Sequence, residues 1–169
     1  NSTLGFLNRN LKSCPQALKE TAYFSLVHSK MEYGAPIWDP YLTKDVDNLE
    51  RVNCRAAWFV KKDYNRDSSV NDMLKELKWD TLQKRRRDQR LTLMYKIVMG
   101  QITVPASQTL LPADGRTRSQ HWFKFKTIRS YMESFKNSFF PRTIPEWNNL
   151  PLHVVESPAL TTFKSRLKQ

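Results

Sequence analysis

The chain has few of the residues that build metal and nucleotide sites. Its 169 residues include only two cysteines, three histidines and four glycines. Cys14 and Cys54 are too few for a disulfide framework or a zinc knuckle, and they fit a reduced, intracellular setting. So few glycines leave no glycine-rich phosphate loop. These absences argue against a zinc module, a disulfide-rich secreted scaffold and a P-loop enzyme.

Long apolar runs are missing as well. No stretch approaches the roughly 18 consecutive apolar residues that a membrane span needs, and no signal peptide is visible. The sequence therefore predicts no membrane partner. The chain begins with Asn1, and the residues after it already have helical character, so we expect a piece of a longer polypeptide.

Positive charge is abundant and unevenly distributed. The net charge is +12, and residues 1–83 hold 12 Lys and Arg against 11 Asp and Glu. Residues 84–169 hold 16 Lys and Arg against 5 Asp and Glu, so nearly all of the excess lies there. This asymmetry favours a polyanionic partner, most often nucleic acid. An anionic membrane surface and a merely solubilising surface are the weaker alternatives.

Apolar periodicity predicts a mainly α fold. Leu18, Ala22 and Leu26 recur at four-residue steps in one helix. A second row with the same spacing is formed by Tyr23, Val27 and Met31, and the two rows together predict one wide buried face. Short connections then favour a bundle of about five helices, which we assign to a first domain, 1–100. The predicted helices cover residues 3–10, 13–31, 43–62, 68–79 and 80–100.

The sequence changes character after Gly100. Residues 101–169 form a basic, aromatic second region, in which "WFKFKTI" (122–128) alternates and predicts a short strand or hairpin. A helix that begins near Ser157 is predicted to close the chain. The expected fold is thus a helical bundle followed by a small aromatic-rich subdomain.

The first basic feature is "KRRR" with one more arginine a turn later. Positive charge in the first half of a helix opposes the helix dipole, at a cost of roughly 0.3–1 kcal/mol per charge. Local stability therefore does not explain the run, and a polyanionic partner does. A solvated helix face, partly paired with acids such as Asp80, remains the alternative. The residues are Lys84, Arg85, Arg86, Arg87 and Arg90.

The second basic feature is the span 115–142, which holds seven Lys and Arg, one acid and seven aromatic residues. Cations between rings suit a nucleic-acid strand, since phosphates take the charge while bases meet the aromatic faces. Phe139, Phe140 and Trp147 are expected in a core instead. The nucleic-acid-binding role is predicted for Arg116, Arg118, Lys124 and Lys126.

Four stretches in series resemble one family. They are "SLVHSKMEYGAPIWDPY", "LERVNCRAAWFV", "LKWDTLQKRRRDQRLTLMYKIVMG" and "NSFFPRTIPEWNNLP". In this order they are similar to the polypeptide that follows the palm in non-LTR (LINE-type, Jockey-like) retrotransposon reverse transcriptases. The resemblance implies that residues 1–100 include the thumb and a helical extension, and that 101–169 is the C-terminal region.

The resemblance also sets expectations for activity and partners. The "ADD" motif that holds metal in the family's palm is absent, so no catalytic residue, metal or cofactor is assigned, and this part is not expected to be an enzyme alone. The implied partners are RNA or an RNA–DNA duplex, together with the palm and endonuclease parts of the same polyprotein. The implied location is intracellular, in a cytoplasmic ribonucleoprotein and in the nucleus. A relic or co-opted helical protein–protein interaction module is the alternative.

A thumb must hold its helices at a fixed angle, and "MEYGAPIW" would then be a structural pin. Tyr33 and Trp38 are predicted to bury a large aromatic area where one helix turns into the next. Stacking of either ring on nucleic acid is the alternative.

Overall fold

The chain is mainly helical, which confirms the predicted fold class. The computed structural model describes residues 2–64, 68–106, 108–113 and 123–168. A π-helical segment, Phe24–His28, joins the second and third α-helices. In chain order the helices are α1 (Ser2–Asn10), α2 (Gln16–Tyr23), α3 (Ser29–Glu32), α4 (Ala35–Trp38), α5 (Thr43–Lys61), α6 (Val70–Glu76), α7 (Leu82–Val98), α8 (Glu133–Lys136), α9 (Phe139–Asn148), α10 (Leu152–Val155) and α11 (Leu160–Leu167).

The contacts divide the chain into two compact units, residues 1–86 and 87–169. The boundary between these units falls inside α7, whereas the sequence predicts a domain boundary at residue 100. The reason is that Leu91, Met94 and Tyr95, in the later turns of α7, pack into the core of the second unit.

The first unit is built on packing of α1, α2 and α5. Tyr23 is fully buried, stacks on Trp79 with ring centroids 4.9 Å apart, and donates a hydrogen bond to Asn53 Oδ1 at 2.9 Å. The Trp79 indole in turn donates to Glu20 at 2.8 Å. The Tyr23 hydroxyl and the Trp79 N–H thus each keep a hydrogen bond within an apolar cluster, as such groups need when they are buried. The buried members of this cluster are Leu4, Leu7, Tyr23, Val27, Val52, Ala56, Phe59 and Val60.

The second unit has its own core. Tyr95 stacks on Phe163 at 4.4 Å, and its hydroxyl donates to the Ser157 carbonyl at 2.6 Å. Trp147 is fully buried, which confirms its predicted core position. The buried members are Leu91, Met94, Tyr95, Ile144, Trp147, Leu150, Val154, Val155 and Phe163.

The predicted strand or hairpin reduces, in the described part of the chain, to one antiparallel bridge. Pro112 pairs with Phe125, and the flanking backbone bonds join Ala113 to Lys124 at 3.0 Å and Lys126 to Leu111 at 2.8 Å. The final helix is present as predicted, with Leu160 as its first residue.

The prediction of a wide buried face on the helix over residues 13–31 is wrong for one of its two rows. Tyr23 and Val27 are buried, whereas Leu18 and Leu26 are about half exposed. The buried stripe of this helix is therefore narrower than the spacing of its apolar residues indicates. Cys54, on α5, is only partly buried.

The prediction of a buried aromatic pin is also wrong. Tyr33 is 84% exposed and Trp38 is 42% exposed. Gly34 adopts a left-handed conformation (φ 62°), and the short α4 that follows it buries Ala35 alone. The Trp38 indole donates to the Tyr33 carbonyl at 2.7 Å, so the turn is closed by a local hydrogen bond at the surface and not by core packing.

Candidate nucleic-acid interface

The first turn of α7 is stabilised by an acid from α5. The Glu50 carboxylate accepts a hydrogen bond from the backbone N–H of Gln83 at 2.8 Å, and the Thr81 hydroxyl accepts one from Lys84 at 3.2 Å. An anion at a helix N-terminus is favourable because the exposed N–H groups carry partial positive charge. Glu50 thus offsets part of the cost of placing cations in this turn.

Carboxylates also neutralise the three side chains of the basic run that belong to the first unit, Lys84, Arg85 and Arg86. Lys84 Nζ lies 2.8 Å from Asp80, one turn earlier. Arg85 makes two contacts with Glu32, at 2.5 and 3.1 Å, and hydrogen bonding to Glu32 raises the pKa of the arginine. Two opposed charges in a bidentate contact form one of the stronger ion-pair geometries.

Arg86 and Arg90 are buried. Arg86 is 1% exposed, and its Nε lies 2.9 Å from the carboxylate of Asp39, whose side chain is also buried. In the second unit, Glu146 lies 2.7 Å from Arg90 and 3.4 Å from Arg87. Burial lowers the pKa of Arg90, and the charge of Glu146 opposes that shift. A phosphate has no access to a guanidinium that is buried against a carboxylate.

These five cations therefore do not form one exposed, unpaired basic surface, and their predicted role in binding nucleic acid stays a prediction. Each has a carboxylate within 4 Å, and the side chains of Lys84 and Arg87 are about half exposed while those of Arg86 and Arg90 are buried. Positive charge at the start of α7 is thus compensated by carboxylates, one of them local (Asp80) and three from other segments (Glu32, Asp39 and Glu146).

A different basic segment remains open in the second unit. Residues 124–126 follow the antiparallel bridge between Phe125 and Pro112, and Phe125 packs toward the core while Lys124 and Lys126 flank it. Successive side chains of an extended chain point to opposite faces, so the two lysines share the face away from the core. Lys126 is exposed and Lys124 is half-buried.

Side chains of α9 hold this segment in place. Asn148 accepts a hydrogen bond from the Phe125 N–H at 3.0 Å and donates one to the Phe125 carbonyl at 2.7 Å. The Trp147 indole donates to the Phe123 carbonyl at 2.8 Å. These three bonds satisfy backbone groups as a neighbouring strand would, and they fix the direction of Lys124 and Lys126.

An open cavity of about 360 Å³ lies beside the segment. Among the described residues, neither Lys126 nor Arg129 makes an ion pair. Phe135 is half exposed and Tyr131 is fully exposed. The arrangement therefore offers cations and aromatic faces together. The cavity is lined by Gln108, Thr109, Leu111, Lys126, Thr127, Ile128, Arg129 and Phe135.

The predicted site residues thus have different outcomes. Lys124 and Lys126 lie on the open segment, and Arg116 and Arg118 lie outside the described residues. Arg129 and Phe135 belong to the basic aromatic span, but the sequence does not predict them as binding residues. The fold brings them to one cavity together with uncharged residues from 108–111, and no pattern in the sequence indicates that arrangement.

The described residues contain no group of three or more His, Cys, Asp or Glu side chains placed to hold a metal ion. Across the same ranges, no helix combines the length and the apolar character that crossing a membrane requires.

Comparisons of the chain with protein-family models, with curated proteins and with solved structures find no match.

Proposed function

We propose that the chain is a non-catalytic, nucleic-acid-binding part of an RNA-directed DNA polymerase of the non-LTR retrotransposon type. Two observations support this: the series of motifs that resembles the region after the palm, and the open cationic segment with its neighbouring cavity. The proposed partners are RNA or an RNA–DNA duplex, together with the palm and endonuclease parts of the same polyprotein.

The observation that carries the proposal is that Lys126 and Arg129 line the same cavity, beside exposed aromatic rings. The cations would hold backbone phosphates, and Phe135 and Tyr131 would contact sugars or bases. Such contacts give affinity with little base specificity. Single-stranded RNA suits the rings best, because unpaired bases can stack on them.

The test is RNA affinity, measured by fluorescence anisotropy at moderate salt. Lys126→Ala combined with Arg129→Ala should weaken binding about tenfold or more. The matched control is Lys164→Ala with Lys168→Ala, which removes the same charge from exposed positions in the same unit. Equal losses in both double variants would reduce the effect to net charge and contradict the proposed site.

A helical protein–protein interaction module is the second candidate, and a specific observation favours it. A short surface segment carries Tyr33, Ile37, Trp38, Tyr41 and Leu42, all substantially exposed. Exposed apolar clusters of this kind often mark contact surfaces. Failure of the folded chain to bind RNA, together with self-association that Ile37→Ser abolishes, would favour this candidate over the first.

A further inference from the structure

The first unit contains another cavity, of about 230 Å³, which is separate from the proposed interface in the second unit. Helix α1 contributes Gly5 and Asn8 to its wall, and α5 contributes Arg55, Trp58 and Phe59. These positions are spaced by three or four residues, so each helix presents one continuous face to the cavity. Tyr64, beyond the end of α5, also lines it.

Gly5 is unusual because it sits inside a helix. Glycine there lowers helix stability relative to alanine. Neither backbone conformation nor crowding requires it: Gly5 has no positive φ, and an added Cβ would meet only Arg9 Nη1, at an ordinary 3.7 Å. What the missing side chain does provide is free space in the cavity wall.

The other walls combine aromatic faces with a cation. Trp58 is half-buried, and Tyr64 is 62% exposed. The Tyr64 hydroxyl donates to Asn8 Oδ1 at 3.3 Å, which links the ring to α1. Arg55 is exposed on the same face of α5 as Trp58, and no carboxylate pairs with it in the part of the chain that the structure describes.

We propose that this cavity binds the base of a nucleotide, stacked against Trp58 and Tyr64, with the adjoining phosphate at Arg55. The cavity is smaller than the roughly 300–1,000 Å³ of sites for drug-sized ligands, so it takes one ring system. Aromatic faces recognise a planar ring, and a lone guanidinium recognises an attached phosphate. The base can come from a free nucleotide or from a single strand.

The inference extends the proposed function to a second site and uses only residues of the first unit. Its test is saturation-transfer NMR with two probes, adenosine 5′-monophosphate and a six-nucleotide single-stranded RNA. Saturation should reach the base protons of at least one probe. Binding to the mononucleotide identifies a free nucleotide as ligand, and binding to the hexamer alone identifies a base within a strand.

Gly5→Ala is the decisive variant, because it adds a methyl group to the cavity wall without strain and should raise the midpoint of thermal unfolding. The methyl group narrows a cavity that holds one ring system, so base binding should weaken by about fivefold, near the lower end of the range for one stacked base. Arg55→Gln should weaken the binding of adenosine 5′-monophosphate but not that of adenosine. Arg51→Gln, one turn earlier on α5, is the matched control for the lost charge. In the Lys126→Ala, Arg129→Ala double variant, Gly5→Ala should still weaken base binding. The two proposed sites can therefore be tested independently of each other.

Two results would overturn the inference. One is the absence of transfer to base protons of both probes in the unsubstituted chain. The other is equal affinity for Gly5→Ala and the unsubstituted chain, since a site elsewhere would then account for the binding.

Discussion

Arg86 and Lys84 stand two positions apart in one basic run, yet their surroundings differ in kind. Arg86 and Asp39 form an ion pair whose two side chains are both buried. Lys84 and Asp80 form a pair that water reaches from both sides. Solvent screens an exposed pair, so it contributes about 0–1 kcal/mol, whereas removing one partner of a buried pair leaves a charge without compensation.

Arg86→Ala should therefore lower the free energy of unfolding by about 3–5 kcal/mol. Lys84→Ala, which removes the same charge from the same turn, should change it by less than about 1 kcal/mol. Urea unfolding followed by circular dichroism measures both. The double variant Arg86→Met with Asp39→Leu should recover most of the loss, because it leaves no buried charge. Similar midpoints for the two single variants would contradict this account of Arg86.

His28 gives the fold a pH dependence. Burial lowers the pKa of this histidine, the Glu32 carboxylate raises it, and Arg85 lowers it further. The unfolded chain, with a histidine pKa of about 6.5, takes up this proton at a higher pH than the folded chain does. The contribution of His28 to stability is therefore complete above about pH 7 and is lost as the pH falls through about 6.5 and below.

His28→Gln should flatten this dependence. We expect the free energy of unfolding to fall more steeply between pH 7 and pH 5 in the unsubstituted chain than in the variant. Urea titrations at half-unit pH steps measure the two curves. Curves that stay parallel through this range would show that His28 does not take up its proton more readily in the unfolded state.

At the scale of elements, Asn148 is the link between α9 and the open segment. Removing its side chain eliminates two hydrogen bonds to Phe125 without changing any charge. Asn148→Ala should cost about 1–3 kcal/mol, at roughly 0.5–1.5 kcal/mol per bond. It should also weaken RNA binding, because Lys124 and Lys126 lose their fixed direction.

Hydrogen exchange at the Phe125 amide and RNA anisotropy measure the two effects. Asn149→Ala is the control, since this neighbour is exposed and its side chain does not hold the segment. Faster exchange at Phe125 with unchanged RNA affinity would mean that order in this segment is not needed for binding.

The elements also show what sequence could predict here. Helix α5 is predicted from local apolar spacing, and the residues that determine this spacing are neighbours in the chain. Among the partners of the basic run, Asp80 lies one turn before Lys84, but Glu32 lies 53 residues from Arg85 and Glu146 lies 56 residues from Arg90. No local pattern indicates the two distant pairs, so the sequence alone does not show how much of the run is neutralised.

The aromatic turn illustrates the same limit from the apolar side. Large rings beside Gly34 predict burial only if another segment covers them, and whether one does is a property of the fold. Here Tyr33 and Trp38 lie at the surface, and the ring that does anchor a core, Trp147, lies in another unit. Composition alone does not separate the two tryptophans.

At the scale of the whole molecule, the net charge is larger than the positive charge that is available to bind RNA. The net charge of +12 attracts polyanions at long range, but cations already paired with carboxylates release few counterions when RNA binds. What sets the salt dependence of binding is therefore the number of cations that reach phosphates.

The logarithm of the RNA association constant should fall linearly with the logarithm of salt concentration, by about 0.7 per phosphate for a single strand. Contacts by Lys124, Lys126 and Arg129 alone give a slope of about 2, and Arg116 and Arg118 would raise it to about 3.5. Including the five cations of α7 would give about 7. Anisotropy titrations from 50 to about 300 mM salt distinguish these values. We expect a slope between 2 and 3.5, because ion pairs within the protein already satisfy the α7 cations; a slope near 7 would mean that RNA displaces those carboxylates.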